Sequence, residues 1–192
     1  MNIVKSVTLT FSCVLIFGCS DKQHSESNAF QRINIGPIVM TVPYSFKFTV
    51  GRGVDSYVAY LVDEKHDTFN IERGYPKIIN NLFEIPNPVF PMEAKERFKK
   101  NIGRVPSSEE AFFSKDSERD SQEGIFERNY YMYDTINGIV VKIVQPKRLG
   151  NGMTGLFIPE LSDSTAMSIY AKNLDSNTHI LAMRMFRTIR YK

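Results

Sequence analysis

Phe126-Glu127-Arg128-Asn129-Tyr130-Tyr131-Met132-Tyr133-Asp134-Thr135-Ile136-Asn137-Gly138-Ile139-Val140-Val141-Lys142-Ile143-Val144 is the stretch on which the fold turns. Apolar and aromatic residues alternate into Asn137-Gly138 and out again through Ile139, Val141 and Ile143. Asn-Gly tolerates the positive φ angles of a type I′ turn, so the pattern predicts a β-hairpin with a two-residue loop. Downstream, Thr154 to Ile158 and Met167 to Ala171 read as two further strands, and Asp175 or Ser176 caps a C-terminal helix whose apolar face carries Ile180, Leu181, Met185 and Phe186. A last strand through Ile189 and Tyr191 follows it.

Upstream, Ile33, Ile35, Ile38, Met40 and Val42 alternate around Gly36-Pro37, and Phe46, Phe48 and Val50 alternate before Gly51. Tyr57 to Val62 and Thr68 to Ile71 flank a polar tip, Asp63-Glu64-Lys65-His66-Asp67, as a second hairpin. Between Pro91 and Ile102 the period lengthens: Ala94, Phe98 and Ile102 recur every fourth residue and Gly103 supplies a stop, which predicts a short amphipathic helix. Runs of strands with two or three helices, one of them C-terminal, indicate an α+β domain built on a mostly antiparallel sheet. The order of elements resembles the small extracytoplasmic PsbP-like α/β domains, with no signature that carries individual residues across.

The chain has 192 residues, a length that suits one domain with a short appendage. Its 42% apolar and 23% charged residues are ordinary globular composition. The net charge of +3, from 24 basic and 21 acidic residues, is too balanced to imply a nucleic-acid partner.

At the N-terminus, Lys5 precedes an apolar run from Val7 to Phe17, too short to remain as a membrane span and suited to an export signal. Leu15-Ile16-Phe17-Gly18-Cys19 resembles the lipobox of bacterial lipoproteins, although Phe17 stands where a small residue is commoner. The resemblance implies cleavage after Gly18, acylation of Cys19 and a durable lipid anchor. Ser20 after the cysteine implies sorting to the outer membrane, facing the periplasm of a Gram-negative cell. The expected organisation is a signal peptide over 1–18, a lipidated tether over 19–29 that is polar from Ser20 to Asn28, and a single domain over 30–192. The other cysteine, Cys13, lies in the segment to be removed, so the mature domain is expected to have no Cys nucleophile, zinc-thiolate site or disulfide.

Four features invite a chemical interpretation. Gly150-Asn151-Gly152-Met153-Thr154-Gly155 has the letters of a dinucleotide fingerprint, but it runs into a strand instead of opening a helix, so it reads as a turn. Asp63, Glu64, His66 and Asp67 have the chemistry of metal ligands without the spacing of a calcium loop, and read as a solvated hairpin tip. His179 with Asp175 has the makings of half a hydrolase relay, yet four residues apart at a helix start such a pair caps. In Gly51-Arg52-Gly53-Val54-Asp55-Ser56-Tyr57 the glycines let the chain turn, and Arg52, Asp55 and Tyr57 are candidates for a recognition face. No catalytic residue, metal site or cofactor is assigned.

Arg104 to Glu123 is the least ordinary stretch. Beyond Ser108, Glu109, Glu110, Asp116, Glu118, Asp120 and Glu123 against Lys115 and Arg119 give −4, on a mature chain expected to carry +2. Ser107 to Glu110 has capping-box spacing, and Phe112-Phe113 punctuates the polar run. An acidic arm anchored by this Phe pair would steer a basic partner. Glu109, Glu110, Phe112, Phe113, Glu118 and Asp120 are therefore the first candidates for a partner site. The expectation is a lipid-anchored periplasmic binding or inhibitory protein without catalytic activity, whose partner is a protein. Its subclass would be immunity lipoproteins that neutralise a basic antibacterial toxin. Envelope assembly is the alternative, and a cell-wall or lipid hydrolase the third.

Overall fold

The computed structural model describes residues 30–192. The export signal, Cys19 and the tether lie outside the described residues. The chain opens with the hairpin β1 (Phe30–Ile35) and β2 (Ile38–Pro43), followed by β3 (Lys47–Val50), β4 (Ser56–Val62) and β5 (Thr68–Gly74). A long excursion then carries β6 (Val89–Pro91), α1 (Ala94–Ile102), β7 (Phe112–Ser114) and α2 (Ser117–Gln122). The chain returns through β8 (Asn129–Ile136), β9 (Ile139–Pro146), β10 (Met153–Ile158) and β11 (Ala166–Lys172), and ends in α3 (Ser176–Phe186) and β12 (Arg190–Tyr191). Among the described residues the fold is α+β, with three helices and two antiparallel sheets, of seven strands (β3-β4-β5-β11-β10-β9-β8) and three (β1-β2-β12), beside a small parallel pair, β6-β7.

The expected hairpin is present as β8–β9, with Ile136 paired to Ile139 and φ of 49° at Asn137 and 80° at Gly138, the type I′ geometry. The seven-stranded sheet is two local meanders joined along a seam where β5 pairs with β11, Ile71 opposite Ile169. One face of the sheet lies against α3 and the small sheet. Its central row, Ala59, Ile71, Ile169, Leu156 and Ile143, is fully buried, as are Ile35, Ile38, Met40 and Val42 of the hairpin that covers it.

Two helices differ in detail from expectation. Asp175 caps α3, its carboxylate accepting from the Thr178 N–H at 2.8 Å, but the buried face is Thr178, Ala182, Met185 and Phe186, while Ile180 is 47% exposed. The reason is angular: positions 178, 182, 185 and 186 share one helical stripe and 180 points away from it. In α1, Gly103 takes φ 77° and stops the helix by donating to the Lys99 carbonyl, whereas Pro91 ends β6 and Ile102 is exposed.

Candidate functional site

Residues 75–128, between β5 and β8, form a satellite lobe. Its small aromatic core joins Phe90, Phe98 and Phe113, with ring centroids 5.1 to 6.2 Å apart, and stacks Phe112 on Phe126 at 4.5 Å. The acidic run is thus more structured than its composition suggests. Phe112 and Phe113 lie in β7 and are half-buried in this aromatic core, so they hold the lobe together.

The capping-box residues do close on one another. The Glu110 carboxylate accepts from the Ser107 N–H at 2.9 Å and from its hydroxyl, and Arg104 grips it with two bonds of 2.6 Å; together they lower the pKa of its carboxyl to about 2. They close a single turn and no helix follows, because the chain passes directly into β7. Asp120 accepts from the Ser114 hydroxyl, and Asp116 caps α2 through the Arg119 N–H. Glu109 and Glu118 stand exposed. The preceding segment from Glu93 to Arg104 carries +3, largely offsetting the −4 of the acidic run within the lobe.

Arg52, Gly53, Val54 and Asp55 form an exposed tip between β3 and β4, with Val54 98% exposed. A Cβ at Gly53 would stand 1.8 Å from the Ser56 carbonyl oxygen, so only glycine closes this turn. Tyr57 is not part of the tip; it is half-buried against the core, with the Arg73 guanidinium 5.9 Å from its ring centroid. Among the described residues no hydrogen bond or ion pair joins this tip to the acidic run, so the two candidate faces are separate.

Glycines 150 and 152 take φ of 76° and 142° in a turn that runs directly into β10. Asp63 accepts from the Lys65 and Asp67 amides and so closes its hairpin tip, and no group of three potential metal ligands occurs among the described residues. Asp175 is engaged by Lys65 and Thr178, while the His179 Nδ1 lies 2.8 Å from Thr154 Oγ1, tying α3 to β10. The carboxylate and the imidazole form no relay. Beside α2, a cleft lined by Pro86, Asn87, Asp120, Ser121 and Phe126 has room for little more than a water molecule.

The arrangement that sequence reasoning missed lies on the other face of the large sheet. Each residue there is one position along from the buried central row: Val58, Glu72, Ser168, Phe157, Lys142 and Tyr133 stand side by side from β4 to β8. This face is covered by residues 75–88, which contain no helix or strand. Leu82, fully buried, plugs the cover into the sheet above Gly155, where an added Cβ would come within 2.8 Å of Leu82 Cδ1. Next to it, the Phe83 ring lies over the Lys142 ammonium, 3.2 Å from Nζ to centroid. Lys142 is 1% exposed, and burial alone lowers its pKa to about 8, with no carboxylate contributing. Ser168, in the same row, is fully buried and its hydroxyl has no hydrogen-bond partner among the described residues.

No protein-family model matches the chain, and no curated protein matches it. Among solved structures it is similar to the cyanobacterial PsbP (CyanoP) of Synechocystis sp. PCC 6803, known in solution, with a TM-score of 0.44 and 9% identity over 86% of this chain and 94% of that one. A likeness so distant carries no argument about what this chain does.

Proposed function

We propose that the protein is a lipid-anchored periplasmic binding or inhibitory protein, acting through a protein partner that docks on the lobe. The observation that carries this is the distribution of exposed apolar side chains. Eight of the nineteen large hydrophobic residues that remain exposed among the described residues lie in the lobe, which makes up about a third of them, and three more, Tyr130, Met132 and Tyr133, follow in β8. Exposed apolar side chains interspersed with charge are what interaction sites present. Ile78, Ile85, Val105 and Ile125 would supply the apolar contact that the half-buried Phe112 and Phe113 do not, and Glu109, Glu118 and Asp120 would steer a basic partner. Neutralisation of a toxin is the specific form of this reading; envelope assembly through the same surface is the second.

Photo-crosslinking in intact cells from position 118 is expected to trap one predominant protein. Reversing Glu118 and Asp120 to Lys should then slow its association with a strong salt dependence, while His66→Ala and His179→Ala leave binding intact. Unchanged association in the reversed variant, or loss of binding in a histidine variant, overturns the reading. Membrane fractionation tests the anchor: Cys19→Ser should give a folded protein released from the membrane.

A further inference from the structure

An ammonium group removed from water is costly unless a counter-charge or hydrogen bonds replace its hydration. Lys142 is buried and pairs with no carboxylate among the described residues; what faces it is the ring of Phe83, with Phe157 and Tyr131 at 5.2 and 5.9 Å from Nζ. Cation–π contact offsets part of that cost, and a methionine would fill the same space without incurring it. A second uncompensated polar group, the Ser168 hydroxyl, lies in the same row, separated from Lys142 by Phe157 alone. Two unmatched polar groups on one shelf, flanking Phe157 and with Glu72 opposite Ser168, are hard to explain as packing and easy to explain as halves of interactions that a ligand completes.

The cover over this shelf is itself under strain. Leu82 adopts φ 62°, a conformation that a branched, bulky side chain rarely takes, and Asn80 stabilises it by accepting from its N–H at 2.9 Å. Phe83 has its other side open to solvent and is 50% exposed, so a single ring stands between the ammonium and water.

We propose that this shelf is a binding site for a small organic monoanion, a carboxylate or sulfonate with a flat apolar body, which displaces the Phe83 ring and pairs with Lys142. The body replaces Phe83 against Phe157 and Tyr131, and Ser168 offers its hydroxyl to a polar substituent at the far end. One ammonium without a counter-charge selects a single negative charge, because a dianion would bring an excess charge under the cover. The site is separate from the charged surface of the lobe and does not depend on a protein partner.

The test is calorimetric titration of the detergent-solubilised full chain with 2-naphthoate and with its neutral counterpart, 2-naphthalenemethanol. The naphthoate is expected to bind with one-to-one stoichiometry and at least ten times more tightly than the alcohol. Lys142→Met should abolish that preference while leaving the thermal midpoint unchanged or raised. Phe83→Ala, which opens the shelf and removes the ring from the ammonium while keeping Lys142, should tighten naphthoate binding several-fold. Equal affinity for acid and alcohol, a Lys142→Met protein that retains the preference, or a Phe83→Ala protein that binds no better than wild type overturns the proposal.

Discussion

The two faces of the seven-stranded sheet are made by consecutive residues of the same strands, and they are closed in different ways. The inner row, from Ala59 to Ile143, is wholly apolar and is covered by a capped helix and a paired hairpin. The outer row, one residue along, contains Glu72, Ser168 and Lys142 and is covered by a segment with no repeating hydrogen bonds of its own. Fourteen residues of irregular chain bury less apolar area per ordered residue than a helix does, and polar groups beneath them lose hydration without full replacement. The inner face therefore carries the main hydrophobic core, whereas the outer face is held chiefly by Leu82 and is the weaker of the two.

That contrast can be broken at its strongest point by Phe186→Ala on the inner side. Phe186 is fully buried, and its loss should cost about 3–5 kcal/mol in denaturant unfolding. Gly155→Ala probes the outer side. The new methyl would crowd Leu82 and the Tyr170 Cβ, which lies 3.1 Å away, for a cost of about 1–3 kcal/mol. Limited proteolysis should then cut within 75–88 before the sheet unfolds, and simultaneous loss of both would erase the distinction between the faces.

Lys142→Met should leave stability at pH 7 unchanged or raised. It should also remove a pH dependence. The native amine titrates at about 8 against 10.5 in the unfolded chain, so between these values the unfolded state holds a proton that the native state has released, and stability rises with pH. A wild-type stability curve that is flat over that window would show that the ammonium is hydrated. The smallest effect is expected from Asp175→Ala, which removes the α3 cap and the Lys65 pair. Its carboxyl is held down to about 2 from 3.8, first by Lys65, so the contribution is present above pH 3.8 and is lost as the pH falls toward 2. The difference in midpoint between wild type and variant should shrink over that range.

How much of this was legible depended on the distance over which each signal acts. The β8–β9 hairpin is encoded by Asn137-Gly138 and its immediate neighbours, and α3 by Asp175 and a stripe within eleven residues, so both could be read locally. The outer face could not. Lys142 alternates with Val141 and Ile143 and reads as a solvent-facing lysine unless it is known that residues 75–88 fold across it, and that segment has no period to reveal it. The acidic run was visible as composition, but its ion pair with Arg104 and the basic stretch around α1 belong to the fold of the lobe, as do β6, β7 and α2. Consecutive burial along β9 (Val141 to Val144) and β11 (Ala166 to Ile169), where a one-sided strand would alternate, is the mark of a second covered face.

The seam between β5 and β11 bears on how the chain tolerates change. Its paired residues Ile71 and Ile169 are 98 positions apart, whereas within each meander strands meet their neighbours through short connections. Closing a long loop costs entropy that grows only with the logarithm of its length, so a few residues added to or removed from the lobe alter the closure cost by less than about 0.1 kcal/mol, on the order of (3/2)RT times the logarithm of the length ratio. The two meanders can assemble separately and dock along the seam as the slow, non-local step. Length changes beyond the cover, within residues 89–128, are therefore expected to leave the register of the seven strands intact, which makes that part of the lobe the place where new recognition can accumulate without refolding the rest.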